Sequence, residues 1–285
     1  MSPLVTIITP VYNGGKLIEN TIVSVLEQTY SNIEYIIVDG ASCDNTLTIV
    51  NKHKHKIKQV ISEPDEGMYH ALSKGFSICN GEIICYINAG DWLYPSAIET
   101  VVEVFNNNSI QWFTGYRSTC NENNVVTRVE LPFRYKRKMI QTCIYGRYLP
   151  YIQQESTFWR KSMLSNVNFK LLSRLKLAGD YYLWNCFSKK ARLEIVGAPL
   201  GVFMIHSGQL SENLKPYWDE TKLFRDSSSF FVYIKLLYEM LFWVMSPDIR
   251  KLFVNNIYEY NHKDKKWLFS FKFWQSISVS KKSNE

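Results

Sequence analysis

Acidic side chains that follow short apolar runs are the residues of this sequence best placed to do chemistry, and Asp91 is the clearest case. The apolar run from Ile83 to Ile87 is bounded by turn residues, which is typical of a buried strand. Asn88-Ala89-Gly90-Asp91 follows at once, so we expect Asp91 just beyond the carboxyl end of that strand. A carboxylate there can share a divalent cation with a diphosphate, because hard cations take oxygen ligands. An isolated Asp after a strand is more often a turn former or helix cap, so the other strand ends decide the interpretation.

Polar residues also end three other predicted strands. The first strand ends in Thr9-Pro10-Val11-Tyr12-Asn13, the second ends in Asp39, and the third leads to Glu63-Pro64-Asp65-Glu66-Gly67. Because parallel strands place their carboxyl ends at one edge of a sheet, these groups converge, and the sequence predicts a nucleotide site there. The chain has neither GxxxxGK(S/T) nor GxGxxG after the first strand, which argues against an ATPase or a dehydrogenase.

A regular alternation of strands and helices over about the first 115 residues supplies the scaffold. The predicted strands are Val5–Val11, Glu34–Val38, Val60–Ile61, Ile83–Asn88 and Gln111–Gly115. The predicted helices follow Asn13–Gly15, cover 45–51 and 67–79, and follow Pro95. This order predicts a largely parallel sheet with helices on both faces. After Gly115 the pattern changes, with one predicted hairpin arm over 125–131 and an irregular, basic and aromatic stretch over 133–151.

The tail from Lys222 onward combines positive charge with aromatic residues. It holds 11 Lys and Arg against 6 Asp and Glu, and so carries +5 of the net charge of +7. This composition favours an anionic membrane surface over a solvated helical surface, and both over nucleic acid. The segment Phe230 to Met245 is apolar but only 16 residues long, and it contains Lys235 and Glu239, so it is too short and too charged to span a bilayer. Core packing and a membrane surface explain equally well the apolar stripe in this segment, which consists of Phe231, Ile234, Tyr238, Phe242 and Met245.

The cysteines and the N-terminal sequence indicate a reducing compartment. The six cysteines form no CxxC pair and have no His placed to complete a zinc site, so we interpret them as reduced thiols of a cytosolic protein. The sequence begins without a basic region and enters a strand directly, so we expect no signal peptide.

Four segments of the first half resemble family 2 glycosyltransferases of the GT-A fold. They are PLVTIITPVYNGGKLIENTIVSVLEQTY, IEYIIVDGASCDNT, SEPDEGMYHALSKG and GEIICYINAGDWLYP. Three later segments, YIQQESTFWRKSM, LAGDYYLW and FMIHSGQLS, resemble a bacterial branch that builds O-antigen, capsule or exopolysaccharide. The resemblance covers about residues 3–212. It implies an α/β protein with a Rossmann-like, mostly parallel central sheet, helices on both faces and a C-terminal helical extension.

The resemblance also implies a division of the chain. Residues 1–215 would form the GT-A domain, with a nucleotide-sugar-binding half over 1–115 and an acceptor half over 116–215. Residues 216–285 would form the helical, basic and aromatic extension.

The first half, by this resemblance, binds a nucleotide-diphosphate sugar. The residues expected to line its base and ribose are Thr9, Pro10, Tyr12, Asp39 and Asp65. Lys74 falls near the phosphates, Asn88 belongs with the donor-binding residues, and Asp91 matches the last acid of the turn that binds Mn²⁺ or Mg²⁺. Ala89 and Gly90 replace the other acids of that turn, so we expect metal binding to be weak until the diphosphate supplies ligands. His70 stands where the family often has an Asp, and either contacts donor or metal or has a packing or surface role.

The second half, by the same resemblance, supplies the acceptor side. Asp180 in Ala178-Gly179-Asp180-Tyr181 matches the family's general base, with a helix cap as the alternative. The residues expected to contact the acceptor or the donor sugar are Gln154, Glu155, His206 and Gln209.

Together these features predict an inverting, metal-dependent hexosyltransferase. It would move a sugar from a UDP-sugar to a lipid-linked saccharide at the cytoplasmic face of a bacterial inner membrane, as a peripheral protein that binds no nucleic acid. The alternatives are a GDP- or dTDP-sugar donor, and a catalytically inactive sugar-nucleotide-binding subunit, which the thinned metal turn would fit.

Overall fold

The computed structural model describes residues 2–132, 134–209, 214–245 and 257–270. Parts of two sequence predictions lie outside these residues. They are Leu210 and Ser211 of the last family motif, and the stretches 246–256 and 271–285 of the predicted extension.

The strands fall into a larger and a smaller sheet. Their bounds are β1 Val5–Val11, β2 Ile33–Asp39, β3 Gln59–Ser62, β4 Ile83–Tyr86, β5 Trp92–Leu93, β6 Trp112–Thr114, β7 Arg117–Cys120, β8 Val126–Glu130, β9 Thr157–Arg160, β10 Glu194–Val196, β11 Gly201–Met204, β12 Ile257–Asn261 and β13 Lys266–Ser270. Within the described residues the larger sheet has nine strands in the order β13-β12-β10-β6-β9-β4-β1-β2-β3, and the smaller has the order β5-β11-β7-β8.

Helices follow most of the strands in the first half of the chain. Their bounds are α1 Ile18–Leu26, α2 Thr46–Lys52, α3 Met68–Ile78, α4 Ala97–Phe105, α5 Arg137–Gln141, α6 Phe169–Leu172, α7 Gly179–Lys190, α8 Leu214–Glu220 and α9 Phe230–Val244. The stretch predicted to be irregular, 133–151, contains α5, a helix too short to show a full apolar period in the sequence.

The predicted parallel sheet is confirmed for β1 to β4. β1 pairs in parallel with β2 and β4, and β2 pairs in parallel with β3. β9 enters antiparallel between β4 and β6, so the sheet is mixed at its centre. In the sheet β1 lies between β2 and β4. The chain passes from β1 to β2 and β3 on one side of β1, and then crosses to β4 on the other side. Such a reversal of strand order opens a crevice at the carboxyl ends of these strands.

Successive side chains of β1 and β4 point to opposite faces of the larger sheet, and both faces are buried. Ile8 and Tyr86 belong to one hydrophobic core with α3, whereas Ile7 and Cys85 belong to a second core with α1, α2 and α4. Strands covered on both faces read as continuous apolar runs, which explains why these segments were recognisable in the sequence.

The C-terminal segment packs on the preceding part of the chain at several points. Glu239 of α9 is buried and pairs with Arg134 and Lys136, while Val232 and Leu236 of the same helix belong to the core. β12 pairs in parallel with β10 and so extends the larger sheet. The division of the chain at residues 215 and 216 stays a prediction, and the contacts across it are extensive.

The face of α9 that packs on the protein is not the stripe seen in the sequence. Phe231, Ile234 and Tyr238 are 71%, 48% and 52% exposed, whereas Val232 and Leu236 face inward. These three residues of the stripe are therefore exposed, whereas Phe242 lies under the Arg134 guanidinium, 5.5 Å from its ring centroid. In the part of the chain that the structure describes, no helix combines the length and the apolar character that crossing a bilayer takes.

Candidate active site

A cavity of about 1390 Å³ opens at the carboxyl ends of β1 to β4. Pro10 and Tyr12 line it from the end of β1, Ala41 follows β2, and Asp65 follows β3. The turn after β4 contributes the residues described below. Local sequence accounts for this placement, since each parallel strand delivers its following turn to the same edge.

The turn from Asn88 to Asp91 is held by α1. Gly90 has a φ of 106°, a conformation that glycine adopts without strain, and its backbone N–H donates to the Thr21 hydroxyl at 2.9 Å. The same hydroxyl donates to the backbone carbonyl of Asp91 at 2.7 Å. The buried Thr21 therefore holds the turn in place through these two hydrogen bonds.

Asp91 lies at the inner wall of the cavity and is 4% exposed. Its Oδ1 accepts a hydrogen bond from the backbone N–H of Met204 in β11 at 2.8 Å, which ties the turn to the smaller sheet. Glu155 is its neighbour, and the two carboxyl groups interact electrostatically. Burial raises the pKa of both groups, and the charge of Glu155 raises the pKa of Asp91 further. Such a pair holds a proton more readily than an isolated carboxylate does.

Asn88 and Asp91 offer a divalent cation two side chains with oxygen donors. Asn88 Oδ1 is buried without a hydrogen-bond partner among the described residues, although its amide nitrogen donates to Gln154 Oε1 at 3.3 Å. A buried acceptor without a partner is costly unless a ligand satisfies it. Oxygen donors of these types suit Mg²⁺ and Mn²⁺. Across the described residues no group of three or more His, Cys, Asp or Glu side chains is placed to hold a metal, so most ligands would have to come from elsewhere.

Asp180, the second residue of α7, also lines the cavity. Burial raises its pKa to about 6, against three hydrogen bonds that lower it. These come from the backbone N–H of Tyr181 at 2.7 Å, the Tyr217 hydroxyl at 3.0 Å and the Tyr69 hydroxyl at 3.4 Å. A carboxylate with this pKa is mostly ionised at neutral pH and can accept a proton.

Gly179, the residue before Asp180, has no room for a side chain. A Cβ built at Gly179 would lie 2.3 Å from Cδ1 of Tyr69, so any larger residue would push the Tyr69 ring away. Close packing of this glycine thus keeps the Tyr69 hydroxyl near Asp180.

Helix α8 brings residues to the cavity that the sequence analysis did not identify. Tyr217 and Trp218 both line the cavity, and Glu220 accepts hydrogen bonds from the backbone N–H groups of 176, 177 and 178 at 2.7, 2.8 and 2.6 Å. The segment that contains them, LKPYWDE, spans the predicted boundary between residues 215 and 216 and shows no motif. No sequence signal pointed to it.

The wall of the cavity is rich in aromatic rings. They belong to Tyr145, Tyr151, Tyr181, Trp184, Tyr217 and Trp218. Apolar and aromatic walls with a few convergent polar groups are typical of ligand sites.

Ten of the predicted site residues lie on the cavity wall. They are Pro10, Tyr12, Asp65, Asn88, Asp91, Gln154, Glu155, Asp180, His206 and Gln209. Among these, Gln154 donates to the Tyr86 carbonyl, and Gln209 Oε1 accepts from the His206 backbone at 3.2 Å. These contacts orient the wall on both sides of the cavity.

Three predicted donor-binding residues are not on the wall. Thr9 is buried in the core, where its hydroxyl contacts that of Tyr35 at 3.0 Å. Asp39 is fully buried and accepts hydrogen bonds from Ser42 and from the Ser62 hydroxyl at 2.7 Å. Lys74 pairs with Glu63 at 2.9 Å. Asp39 precedes the wall residues Gly40 and Ala41, so it supports the wall instead of forming it.

His70 also stays outside the cavity wall. Its Nδ1 accepts a hydrogen bond from the backbone N–H of Glu66 at 3.1 Å. This contact is local and orders the turn before α3.

Comparison with known proteins matches this architecture to glycosyltransferases. The sequence model of the family described as Glycosyl transferase family 2 matches residues 6–175. An uncharacterized glycosyltransferase of Rickettsia typhi is 31% identical over 186 residues, which are 64% of this chain and 58% of that protein. The Escherichia coli UDP-Glc:alpha-D-GlcNAc-diphosphoundecaprenol beta-1,3-glucosyltransferase WfgD is 25% identical over 224 residues, 76% of this chain and 84% of that protein.

Among solved structures, TarS 1-349 of S. aureus in complex with UDP-GlcNAc superposes with a TM-score of 0.60 at 14% identity. The match covers 88% of this chain and 70% of that chain. It confirms the predicted α/β GT-A fold, and at this identity it speaks for the fold alone.

Proposed function

The chain belongs to glycosyl transferase family 2, and from this premise we propose that it is an inverting, metal-dependent hexosyltransferase with a UDP-sugar donor. Its acceptor would be a lipid-linked saccharide of bacterial surface polysaccharide synthesis, such as O-antigen or capsule. The observation that carries the proposal is that one cavity holds both Asp91, at the strand ends, and Asp180, in a motif of the second half. A transfer reaction needs both a place for the leaving diphosphate and a base for the acceptor.

The donor would lie along the ends of β1 to β4. Tyr12, Pro10 and Asp65 are placed to contact the base and ribose, since they line that end of the cavity. Asn88 and Asp91 would hold Mn²⁺ or Mg²⁺ together with the diphosphate. When bound, the cation neutralises the negative charge that builds on the leaving group.

Asp180 would act as the general base. The acceptor hydroxyl attacks the anomeric carbon from the face opposite the diphosphate and forms the new glycosidic bond. The bond from the anomeric carbon to the diphosphate oxygen breaks, and its electron pair leaves with UDP. The hydroxyl proton passes to the Asp180 carboxylate, which lines the cavity. Inversion at the anomeric carbon follows from this single displacement.

The aromatic wall around Asp180 supports a saccharide acceptor. Trp218 and Tyr181 offer flat apolar faces against which a sugar ring can pack, and Asp180 sits beside them. A lipid-linked acceptor is further supported by WfgD, whose name specifies a diphosphoundecaprenol-linked GlcNAc.

A panel of donors tests the proposed chemistry. With Mn²⁺ present, we expect a UDP-sugar to raise the melting temperature, and GDP- and dTDP-sugars to leave it unchanged. At 100 times its Kd a ligand adds ~2.7 kcal/mol, which is roughly 5–10 °C for a domain of this size. Differential scanning fluorimetry measures the shift, and release of UDP from the stabilising donor separates an enzyme from an inactive sugar-nucleotide-binding subunit. Stabilisation by a GDP- or dTDP-sugar alone would contradict the UDP assignment.

We also propose that α9 holds the protein on the anionic inner face of the bacterial plasma membrane. Its outward residues are apolar, with Phe231, Leu237 and Leu241 71%, 65% and 68% exposed. Lys136, Lys138 and Lys235 line a cleft of about 280 Å³ beside this face, where Lys136 and Lys138 are also paired with Glu239 and Asp226. Positive charge next to an exposed apolar surface matches lipid headgroups above acyl chains.

Charged substitutions on α9 test the membrane contact. We expect the wild type to float with phosphatidylglycerol vesicles at low salt and less so at high salt. The double variant Leu237→Asp and Leu241→Asp should lose flotation by tenfold or more, because burying each leucine is worth ~1.5–3 kcal/mol. Its melting temperature and donor binding should not change, since both side chains are exposed.

Val125→Asp is the matched control, because Val125 is 57% exposed in a turn outside α9. It should float like the wild type. Absence of wild-type flotation at low salt would refute the membrane proposal.

A further inference from the structure

We infer that Tyr217 is a positioning residue for Asp180, and that the segment after residue 213 therefore completes the active site. The inference rests on the proposed role of Asp180 as the base. It concerns how that carboxylate is oriented, which the family match over residues 6–175 does not reach.

Among the described residues, the three hydrogen bonds that the Asp180 side chain accepts end on the same oxygen. Tyr181 N–H, the Tyr217 hydroxyl and the Tyr69 hydroxyl each donate to Oδ1, at 2.7, 3.0 and 3.4 Å. Of the two hydroxyls, that of Tyr217 is nearer, and the single proton of the Tyr69 hydroxyl has a closer alternative acceptor in the Leu177 carbonyl, at 3.1 Å. Because these donors all reach Oδ1, we infer that Oδ2 is the atom that takes the proton of the acceptor hydroxyl.

Glu220 fixes the position of Tyr217. Residues three apart lie on one face of a helix, so Tyr217 and Glu220 of α8 face the same way. Glu220 accepts the backbone N–H groups of Lys176, Leu177 and Ala178, which directly precede α7. The start of the base-bearing helix and the helix that carries Tyr217 are thereby held together. This keeps the Tyr217 hydroxyl within hydrogen-bonding distance of the Asp180 carboxylate.

The hydrogen bond from Tyr217 also affects the charge of the base. A donor to a carboxylate favours the ionised form, and the Tyr217 hydroxyl accordingly lowers the pKa of Asp180 against the rise caused by burial. Removing the donor raises that pKa. A base must be ionised to work, so the acidic limb of the rate profile would move to higher pH.

The substitution Tyr217→Phe tests the inference because it removes the hydroxyl and keeps the ring. The probe is UDP release from the donor selected in the panel, measured with Mn²⁺ and a GlcNAc-diphosphate-lipid acceptor from pH 5 to 9. We expect kcat near pH 6 to fall roughly fivefold, the acidic limb to move up by ~1 pH unit, and the donor KM to stay unchanged. A loss of packing alone would lower the rate equally at every pH.

Tyr182→Phe is the matched control. Tyr182 lies on the same helix as Asp180, and its hydroxyl accepts from the Asn168 N–H at 3.1 Å, away from the cavity. Its profile should match the wild type.

If Tyr217→Phe does not fold, Glu220→Gln carries the test, because an amide cannot accept all three N–H groups as well as a carboxylate does. The same direction of shift is expected. Either variant, folded and with the wild-type pH profile, overturns the inference. Full activity of Asp180→Asn would instead refute the proposed base, so the two failures are distinguishable.

Discussion

Asp180→Asn should abolish transfer while leaving donor binding intact. Asparagine keeps the shape of the side chain, and its carbonyl oxygen still accepts from Tyr181 and Tyr217, but it cannot take a proton at neutral pH. Loss of a general base costs ~10²–10⁴-fold in rate, so we expect kcat to fall by that factor. Initial rates of UDP release give kcat, and calorimetry of UDP with Mn²⁺ gives the affinity of the donor site.

The pH profile provides the second readout for Asp180. The pKa of this group is about 6, and only its ionised form accepts a proton, so wild-type kcat should fall as the pH drops through about 6 and level off above it. The residual activity of the Asn variant should lack this limb. Glu194→Gln, which changes a half-buried carboxyl outside the cavity, is the control and should keep the limb. Wild-type turnover in Asp180→Asn would make Glu155 the next candidate base.

Asp91→Asn should remove most of the metal-dependent part of donor binding. The variant keeps an oxygen that can accept from the Met204 backbone, so the tie between the turn and β11 survives. It loses the negative charge that attracts a cation. We expect the gain in UDP affinity on adding Mn²⁺ to shrink by at least ~10- to 100-fold, measured by calorimetry with and without the metal.

Stability separates this loss of binding from unfolding. Asp91 and Glu155 are buried together, and burial raises the pKa of both, so replacing one by a neutral amide relieves repulsion. The melting temperature of Asp91→Asn should equal or exceed that of the wild type. Glu34→Gln is the control, because Glu34 is a buried carboxyl outside the cavity that accepts hydrogen bonds from the side chains of Thr6 and Asn80. An unchanged Mn²⁺ effect in Asp91→Asn would remove Asp91 from the metal site.

The helix that carries Tyr217 lies close in the chain to α9, the helix proposed to contact the membrane. Only a short stretch of chain separates Glu220, which is bonded to the start of α7, from Phe230 at the start of α9. Asp226 in this stretch pairs with Lys138, one of the lysines beside the apolar face of α9. The proposed membrane surface and the proposed base therefore share one short piece of scaffold.

The sequence by itself determined the parallel half of the fold and one edge of the site. β1, β2 and β4 are buried on both faces, so their apolar runs are continuous and visible without any structure. Parallel connection then forces the turns that follow to one edge, and Pro10, Tyr12, Asp65 and Asp91 reached the cavity for that reason.

The tertiary structure alone decided which side chains face the cavity and what surrounds the carboxylates. Thr9 was predicted to contact the donor, but its hydroxyl lies in the core against Tyr35, since the side of a strand that a residue occupies depends on its partners. Lys74 pairs with Glu63 because the turn before α3 folds back on the helix. The extension was predicted to be helical, and β12 of that segment joins the larger sheet.

Several of the contacts that set the chemistry of the site are long-range in the chain. Glu155 meets Asp91, and Tyr217 meets Asp180, only after the second half has folded onto the first. Hydrophobic periodicity reports which face of an element is buried, but not which distant polar group lies across from it. Burial and hydrogen bonding set the pKa of a carboxyl, and both depend on those distant groups. Local sequence patterns therefore identified the carboxylates, and only the folded structure determined which of them have a raised pKa.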